Sequence, residues 1–320
     1  MNGVLSFALA VLIYPGLLVA AVAGVALLIV RNVARTALGD AKAPSPAAAL
    51  TELRESWQGE TNVPDGVSEL GLTLSSAVAI LAPALALVLL PVPGNPLVTL
   101  IGLKGDLAVE GALLLVLPLA RLFVGWLTPT ALTRVAADRG ARLVVGAALS
   151  LTLSLTAVAQ QFNTLVIANA PTQAPSAILN IARVLAAAAF VCVLPVLARI
   201  TALREPQDAE DATPDELLEL TGRDLFCFRL GEAMQLVAAA GLFIAVFVVP
   251  FFTTAPTGAA LAILWVVGLL LIAAGIGAWD AVRGRMRVGD EHPPLTWWLG
   301  WPLLIALAAL VLTAWATRGV

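Results

Sequence analysis

Long apolar runs broken by short polar stretches set the pattern of the chain. Windows of about 19 residues pick out apolar segments at 4–30, 70–91, 109–128, 143–168, 177–198, 230–252, 258–280 and 296–316. Each is long enough for a helix to cross a hydrocarbon layer ~30 Å thick. The dyad alternation of a membrane β-barrel is absent. The pattern therefore predicts an all-α, polytopic membrane protein with about eight transmembrane helices, read as a single membrane domain over 1–320. An even number of crossings places both termini on one face. Pro118, Pro195 and Pro250 fall within these runs and should bend or end helices locally.

The basic residues between the runs alternate from face to face. Arg31, Arg35, Lys42 and Arg54 lie between the first two runs, and Arg134, Arg139 and Arg142 between the third and fourth. Arg199, Arg204, Arg223 and Arg229 separate the fifth from the sixth, and Arg283, Arg285 and Arg287 the seventh from the eighth. The other face keeps Lys104 and Arg318, with Arg183 near the start of the fifth run. The positive-inside rule then puts the basic loops in the cytoplasm and both termini on the outer face of a cell inner (cytoplasmic) membrane. The outer loops LPVPGNPLV, NAPTQAPS and TTAPTG read as connectors, so the polar chemistry is expected on the cytoplasmic side.

Two cytoplasmic loops carry most of that chemistry. In the loop 31–69, Pro46–Gln58 sets Leu50, Leu53 and Trp57 on one helical face, which predicts an interfacial amphipathic helix. The loop 199–229 is acidic, with Glu205, Asp208, Glu210, Asp211, Asp215, Glu216, Glu219 and Asp224. It passes through Thr221-Gly222 straight into a helix that takes Glu232 into an apolar run. From Leu225 to Glu232 is about two turns, ~10 Å of rise.

Composition narrows the class. The chain is 60% hydrophobic and 12% charged, against ~25% charged in soluble domains, which excludes a free-standing soluble enzyme. One histidine, His292, and two cysteines, Cys192 and Cys227, without CxxC or Cys/His spacing, offer no metal cluster; the cysteines read as small buried hydrophobes. The first run lacks a basic leader and is too long for a signal peptide, so it reads as a retained helix. Ionisable groups within the bilayer are costly and face a partner, water or a bundle interior. Arg121 and Glu232 lie deepest and read as functional; Glu110, Arg183 and Asp280, near run ends, read as structural or interfacial. Desolvation disfavours a charged Glu232 unless a cation offsets it. Arg121 and Arg229 are the candidates, Arg229 being three residues away and able to share its face.

The stretch Glu219-Leu-Thr-Gly-Arg-Asp-Leu, followed by FCFRLGEAMQLV, resembles the Glu-Tyr-Ser-Gly signature and following helix of the H subunit (subunit 1) of respiratory complex I. It also resembles the homologous membrane subunit of formate hydrogenlyase and other energy-converting nickel–iron hydrogenases. Gly-Arg-Asp-Leu is nearer the hydrogenase branch and Gly231-Glu-Ala nearer the complex I branch. Val63-Pro64-Asp65-Gly66 before the second run and Arg283-Gly-Arg-Met-Arg before the last also match loosely. The chain departs from the family where Leu220-Thr221 replaces Tyr-Ser, and where the fourth run has Gln160 and Gln161 but no charge. It is similar to a divergent member.

The resemblance implies a membrane-anchor and charge-relay subunit of a complex-I-like, redox-driven proton pump. It would dock the peripheral redox arm, the quinone-reductase module, on the membrane arm. The implied relay groups are Glu232, Glu219, Asp215, Glu216, Glu210, Asp211 and Asp224, with Arg121, Arg223, Arg229, Arg283 and Arg285 as charge partners. It implies no catalytic residue and no autonomous chemistry in this chain, and no cofactor or metal bound by it. It leaves room for a quinone at the interface with the redox arm. The implied partners are antiporter-like membrane-arm subunits, soluble iron–sulfur and quinone-pocket or nickel–iron subunits, and membrane lipid; nucleic acid is not among them. The alternative within the family is the anchor of a nickel–iron hydrogenase without quinone. A secondary transporter, which should show an internal repeat or paired broken helices, is the alternative of another class. An intramembrane prenyltransferase needs two Asp-rich motifs for magnesium and diphosphate, and the chain has one acidic loop.

Overall fold

A computed structural model of the chain describes residues 2–39, 44–64, 66–97, 104–167, 176–197, 216–252, 258–283 and 292–318. Its helices are α1 (Asn2–Leu12), α2 (Leu17–Ala37), α3 (Ala48–Gln58), α4 (Glu69–Leu89), α5 (Leu107–Leu127), α6 (Ala131–Phe162), α7 (Ala177–Leu197), α8 (Gly222–Phe243), α9 (Gly258–Arg283) and α10 (His292–Arg318). No strand occurs among the described residues, and eight helical segments are long and apolar enough to cross a membrane. The fold is therefore the all-α, eight-span class that the apolar pattern predicts. The end of the bundle that carries α3 is called the loop face below, and the other the termini face.

Helix boundaries differ from the apolar windows where polar residues join a helix. The fourth span begins at Ala131, not near 143, because the polar turns holding Arg134, Asp138 and Arg139 are helical but too charged for an apolar window. The sixth begins at Gly222 for the same reason, with Arg223, Asp224 and Arg229 inside it. The first is interrupted at 13–16, around Pro15 and Gly16, so that α1 and α2 share one crossing. Starts are fixed by caps: Ser68 Oγ accepts from Gly71 N–H at 3.2 Å, and Asp106 Oδ1 accepts from Ala108 and Val109 N–H.

The centre of the bundle is α8. The most apolar 18-residue stretch of its span, Gly222–Phe251, is 78% buried, against 17% for that of Gly258–Ala281, so α8 is enclosed by the other helices while α9 lies on the outside of the bundle. It continues through a π-helical turn, Ile244–Val248, and a 3-10 turn, Val249–Phe251. Helices α2 and α4 pack on α8 at backbone distance. A Cβ on Gly231 would fall 2.3 Å from the Ala79 carbonyl oxygen, and one on Gly24 would fall 2.6 Å from the Ala233 backbone. Only hydrogen fits at these crossings, as in other close membrane-helix contacts. Helix α9 packs on the outside of α2, α5 lies between α4 and α6, and α10 rests on α6 and α7. The main core runs through these helices and includes Phe190, Phe243 and Phe247, whose ring centroids lie 5.4–5.8 Å apart.

Candidate functional site

The Thr-Gly-Arg-Asp segment works first as a joint between the two loops on the loop face. Thr221 Oγ1 accepts from Asn62 N–H at 3.1 Å and donates to the Glu60 carbonyl at 3.0 Å. Arg223 N–H donates to Thr61 Oγ1 at 3.3 Å. Between them Gly222 has φ +62°, a left-handed conformation that favours glycine, and its missing Cβ would lie 2.7 Å from Thr61. The hydroxyl at position 221 and the Arg223 amide together tie residues 60–62 to the start of α8.

That joint holds α3 along the first turns of α8. Trp57 meets Phe226 edge-on with centroids 5.0 Å apart, and the Arg223 guanidinium lies 5.8 Å from the Trp57 ring centre. Arg229 Nη1 is 3.8 Å from Glu52 Oε2. A helix is present where the amphipathic one is expected, but its buried face is not the Leu50–Leu53–Trp57 face. Ala49, Leu53 and Ser56 are buried, while Leu50 and Trp57 are more than half exposed.

Above the joint lies a buried charge cluster. Arg121, on α5, sends Nη1 to Glu232 Oε1 in a direct ion pair and Nη2 to Glu216 Oε2 at 3.5 Å. Glu216 precedes α8 and reaches Arg121 over Gly125, where a Cβ would sit 3.0 Å from the Glu216 side chain. Two carboxylates thus share one guanidinium, and with all three ionised the trio carries one net negative charge. A single proton neutralises it. The Glu216 side chain is 1% exposed and that of Glu232 17%, so Glu232 is the member with an opening. Asp224, in the first turn of α8, accepts from Ser76 Oγ of α4 at 2.7 Å. The arrangement suits holding a proton or a displaced charge between loop and membrane. Among the described residues no group of acids, histidines or cysteines could hold a metal.

The other expected site residues fall as follows. Glu219 is half-buried beside the cluster segment. Arg283 ends α9. Glu210, Asp211, Asp215 and Arg285 lie outside the described residues. Asp280, read from sequence as structural, pairs with Arg31: Oδ2 accepts from Nη2 at 2.7 Å and from Nε at 2.8 Å, clamping α9 to α2. Arg183, also read as an end-of-run residue, is fully buried. Its Nη1 donates to the Pro250 carbonyl at 3.2 Å and its Nε to Gln161 Oε1 at 3.4 Å, with Phe162 and Phe251 rings beside it. Gln161 in turn donates to Thr313 Oγ1 at 3.2 Å. Glu110 is fully buried too, and neither of its carboxyl oxygens has a hydrogen-bond partner among the described residues. Proximity to a helix end gave no sign of that depth.

A family model described as NADH dehydrogenase matches residues 51–314. The chain belongs to this family, that of complex I subunit 1. It is a membrane subunit of a redox-linked complex. The match does not favour the nickel–iron hydrogenase alternative, and it lends nothing to a secondary transporter. No curated protein matches. Among solved structures the chain is similar to a chain of the membrane-bound sulfane sulfur reductase, an archaeal respiratory membrane complex. That likeness has a TM-score of 0.73 at 20% identity and covers 96% of this chain and 99% of that one, which confirms the shared fold.

Proposed function

We propose that this chain docks a peripheral redox arm on a membrane arm and supplies the first charge-relay site of a redox-driven proton pump. The observation that carries the reading is the Arg121 guanidinium shared by Glu216 and Glu232. Electron transfer in a docked arm alters the local field, and the trio answers by taking up or releasing one proton, with Glu232 as the exchanging member. Arg121 holds both acids in place, and Asp224, fixed by Ser76, adds a further negative group at the mouth of α8. The loop face is read as cytoplasmic because Arg54, Arg134, Arg139, Arg223 and Arg229 gather there. On this reading the chain is a multi-pass protein of the cytoplasmic membrane with both termini on the outer face.

Family membership supports partners of both kinds, antiporter-like subunits in the membrane and soluble iron–sulfur and quinone-pocket subunits on the loop face. The solved relative's place in a respiratory membrane complex supports the same view. Exposed Leu50 and Trp57, with Phe226 and Arg223 behind them, give the α3–α8 corner an aromatic surface with a cation, which suits a quinone met at the interface with the redox arm. Purification of the native assembly in mild detergent tests docking. A photo-crosslinker at position 54 or 223 should capture an iron–sulfur-containing subunit. A stable, active assembly without such a subunit would refute the reading.

A further inference from the structure

The Arg121 cluster does not account for the most fully buried carboxyl among the described residues, Glu110. One turn along α5 from Glu110 is Leu114, whose carbonyl would normally accept from the amide of residue 118. That residue is Pro118, which has no N–H, so the Leu114 carbonyl is left open. Gln235 of α8 fills the gap, with Nε2 donating to the Leu114 oxygen at 2.5 Å. A carbonyl only accepts, so the amide nitrogen must be the atom facing it and the amide orientation is fixed. Gln235 is fully buried, and its Oε1 has no hydrogen-bond partner among the described residues. Gln235 stands three residues beyond Glu232, within one helical turn.

Arg121, Leu117, Leu114 and Glu110 follow one stripe of α5 at helical spacing. The stripe climbs ~16 Å from the charge cluster toward the termini face. Along it the polar groups run from Glu216 and Glu232 on Arg121, through the Gln235 amide on the freed Leu114 carbonyl, to Glu110. The open atoms at the upper end, Gln235 Oε1 and both Glu110 oxygens, are all acceptors when the acid is ionised. Acceptors cannot satisfy one another. A proton on Glu110 supplies the missing donor and removes a charge that no cation in an ion pair offsets among the described residues.

We propose that Glu110 is a second proton-holding site, in the half of the membrane nearer the termini face, joined to Glu232 through Gln235. The site takes a proton and no other ligand. No covalent bond is made or broken apart from the O–H bonds between which the proton moves. Gln235 is a positioning residue: its nitrogen is held by Leu114, which leaves its oxygen open to accept from an O–H donor. The chain would then carry a transverse branch in addition to the cluster at the loop face. This part rests on the reading of the Arg121 cluster as a proton relay; the protonation of Glu110 does not.

The test uses the assembled complex in its own membranes. Infrared spectra with carbon-13-labelled glutamate should show a protonated-carboxyl C=O band in the wild type. The band should disappear in Glu110→Gln and persist in Gln235→Leu. Both variants should assemble, keep electron transfer and move fewer protons per electron. An unchanged band in Glu110→Gln would overturn the proposal, as would an unchanged proton ratio. Failure of Glu110→Gln to assemble would also count against it, because glutamine reproduces the shape and neutrality of a protonated glutamate but cannot replace a carboxylate. If the wild type translocates no protons, the relay reading fails, while the band still decides whether Glu110 holds a proton.

Discussion

Replacing Arg121 with leucine removes the guanidinium that Glu216 and Glu232 share. The wild-type trio carries one positive and two negative charges; the variant leaves two carboxylates without the guanidinium they share, one of them 1% exposed. Breaking a buried ion pair by removing one partner costs ~3–5 kcal/mol, unless the acids take up protons. Glu232→Gln has a different outcome, because Glu216 still faces Arg121 and no buried charge is stranded. That variant should cost ~1 kcal/mol, the scale of one exchanged hydrogen bond. The two substitutions should therefore differ by ~2–4 kcal/mol. Thermal ramps of the intact complex in membranes, read beside its subunit content, measure this. Adding Glu216→Gln and Glu232→Gln to Arg121→Leu should restore much of the lost stability, since it removes the uncompensated charge. The reasoning fails if Arg121→Leu is no more harmful than Glu232→Gln, or if removing both acids brings no recovery.

Other substitutions test the scaffold. Gly231→Ala places a Cβ 2.3 Å from the Ala79 carbonyl and should part α4 from α8; the cost, ~1–3 kcal/mol of overpacking, should appear as a lower melting temperature of the complex. Thr221→Val removes the hydrogen bonds to Asn62 and Glu60 and should cost ~1–3 kcal/mol, with faster amide exchange at residues 60–62 and recovery in Thr221→Ser. Asp280→Leu should destabilise by ~3–5 kcal/mol, and the double variant with Arg31→Met should be milder than either single change in the same melting assay.

The apolar spans were legible because a bilayer imposes a length and a composition on each crossing, and the eight runs of the sequence reappear as eight helical crossings among the described residues. Their polar ends were not, because hydropathy stops at Arg223 or Arg139 while hydrogen bonding carries the helix on. The Thr-Gly segment was visible as a turn before a helix, but its bonds to Glu60 and Asn62 join residues about 160 apart in the chain. The cluster was half legible. Arg121 and Glu232 stood out as charges inside apolar runs, whereas Glu216 was one acid among several in a loop until Gly125 let it reach Arg121. The burial of Glu110 and Arg183 was not legible, for one reason. Nearness to a helix end in sequence says nothing of how thickly neighbouring helices cover that end, and both are fully buried. Pro118 was read as a bend; that its freed carbonyl would be met by Gln235 depends on packing alone.

The relay claim is tested most directly by the number of protons translocated per electron in proteoliposomes carrying the whole complex with Glu232→Gln. The arrangement predicts full assembly, retained electron transfer and a lost or sharply reduced proton ratio, with part of it returned by Glu232→Asp. A fully assembled Glu232→Gln complex that translocates protons at the wild-type ratio would contradict it.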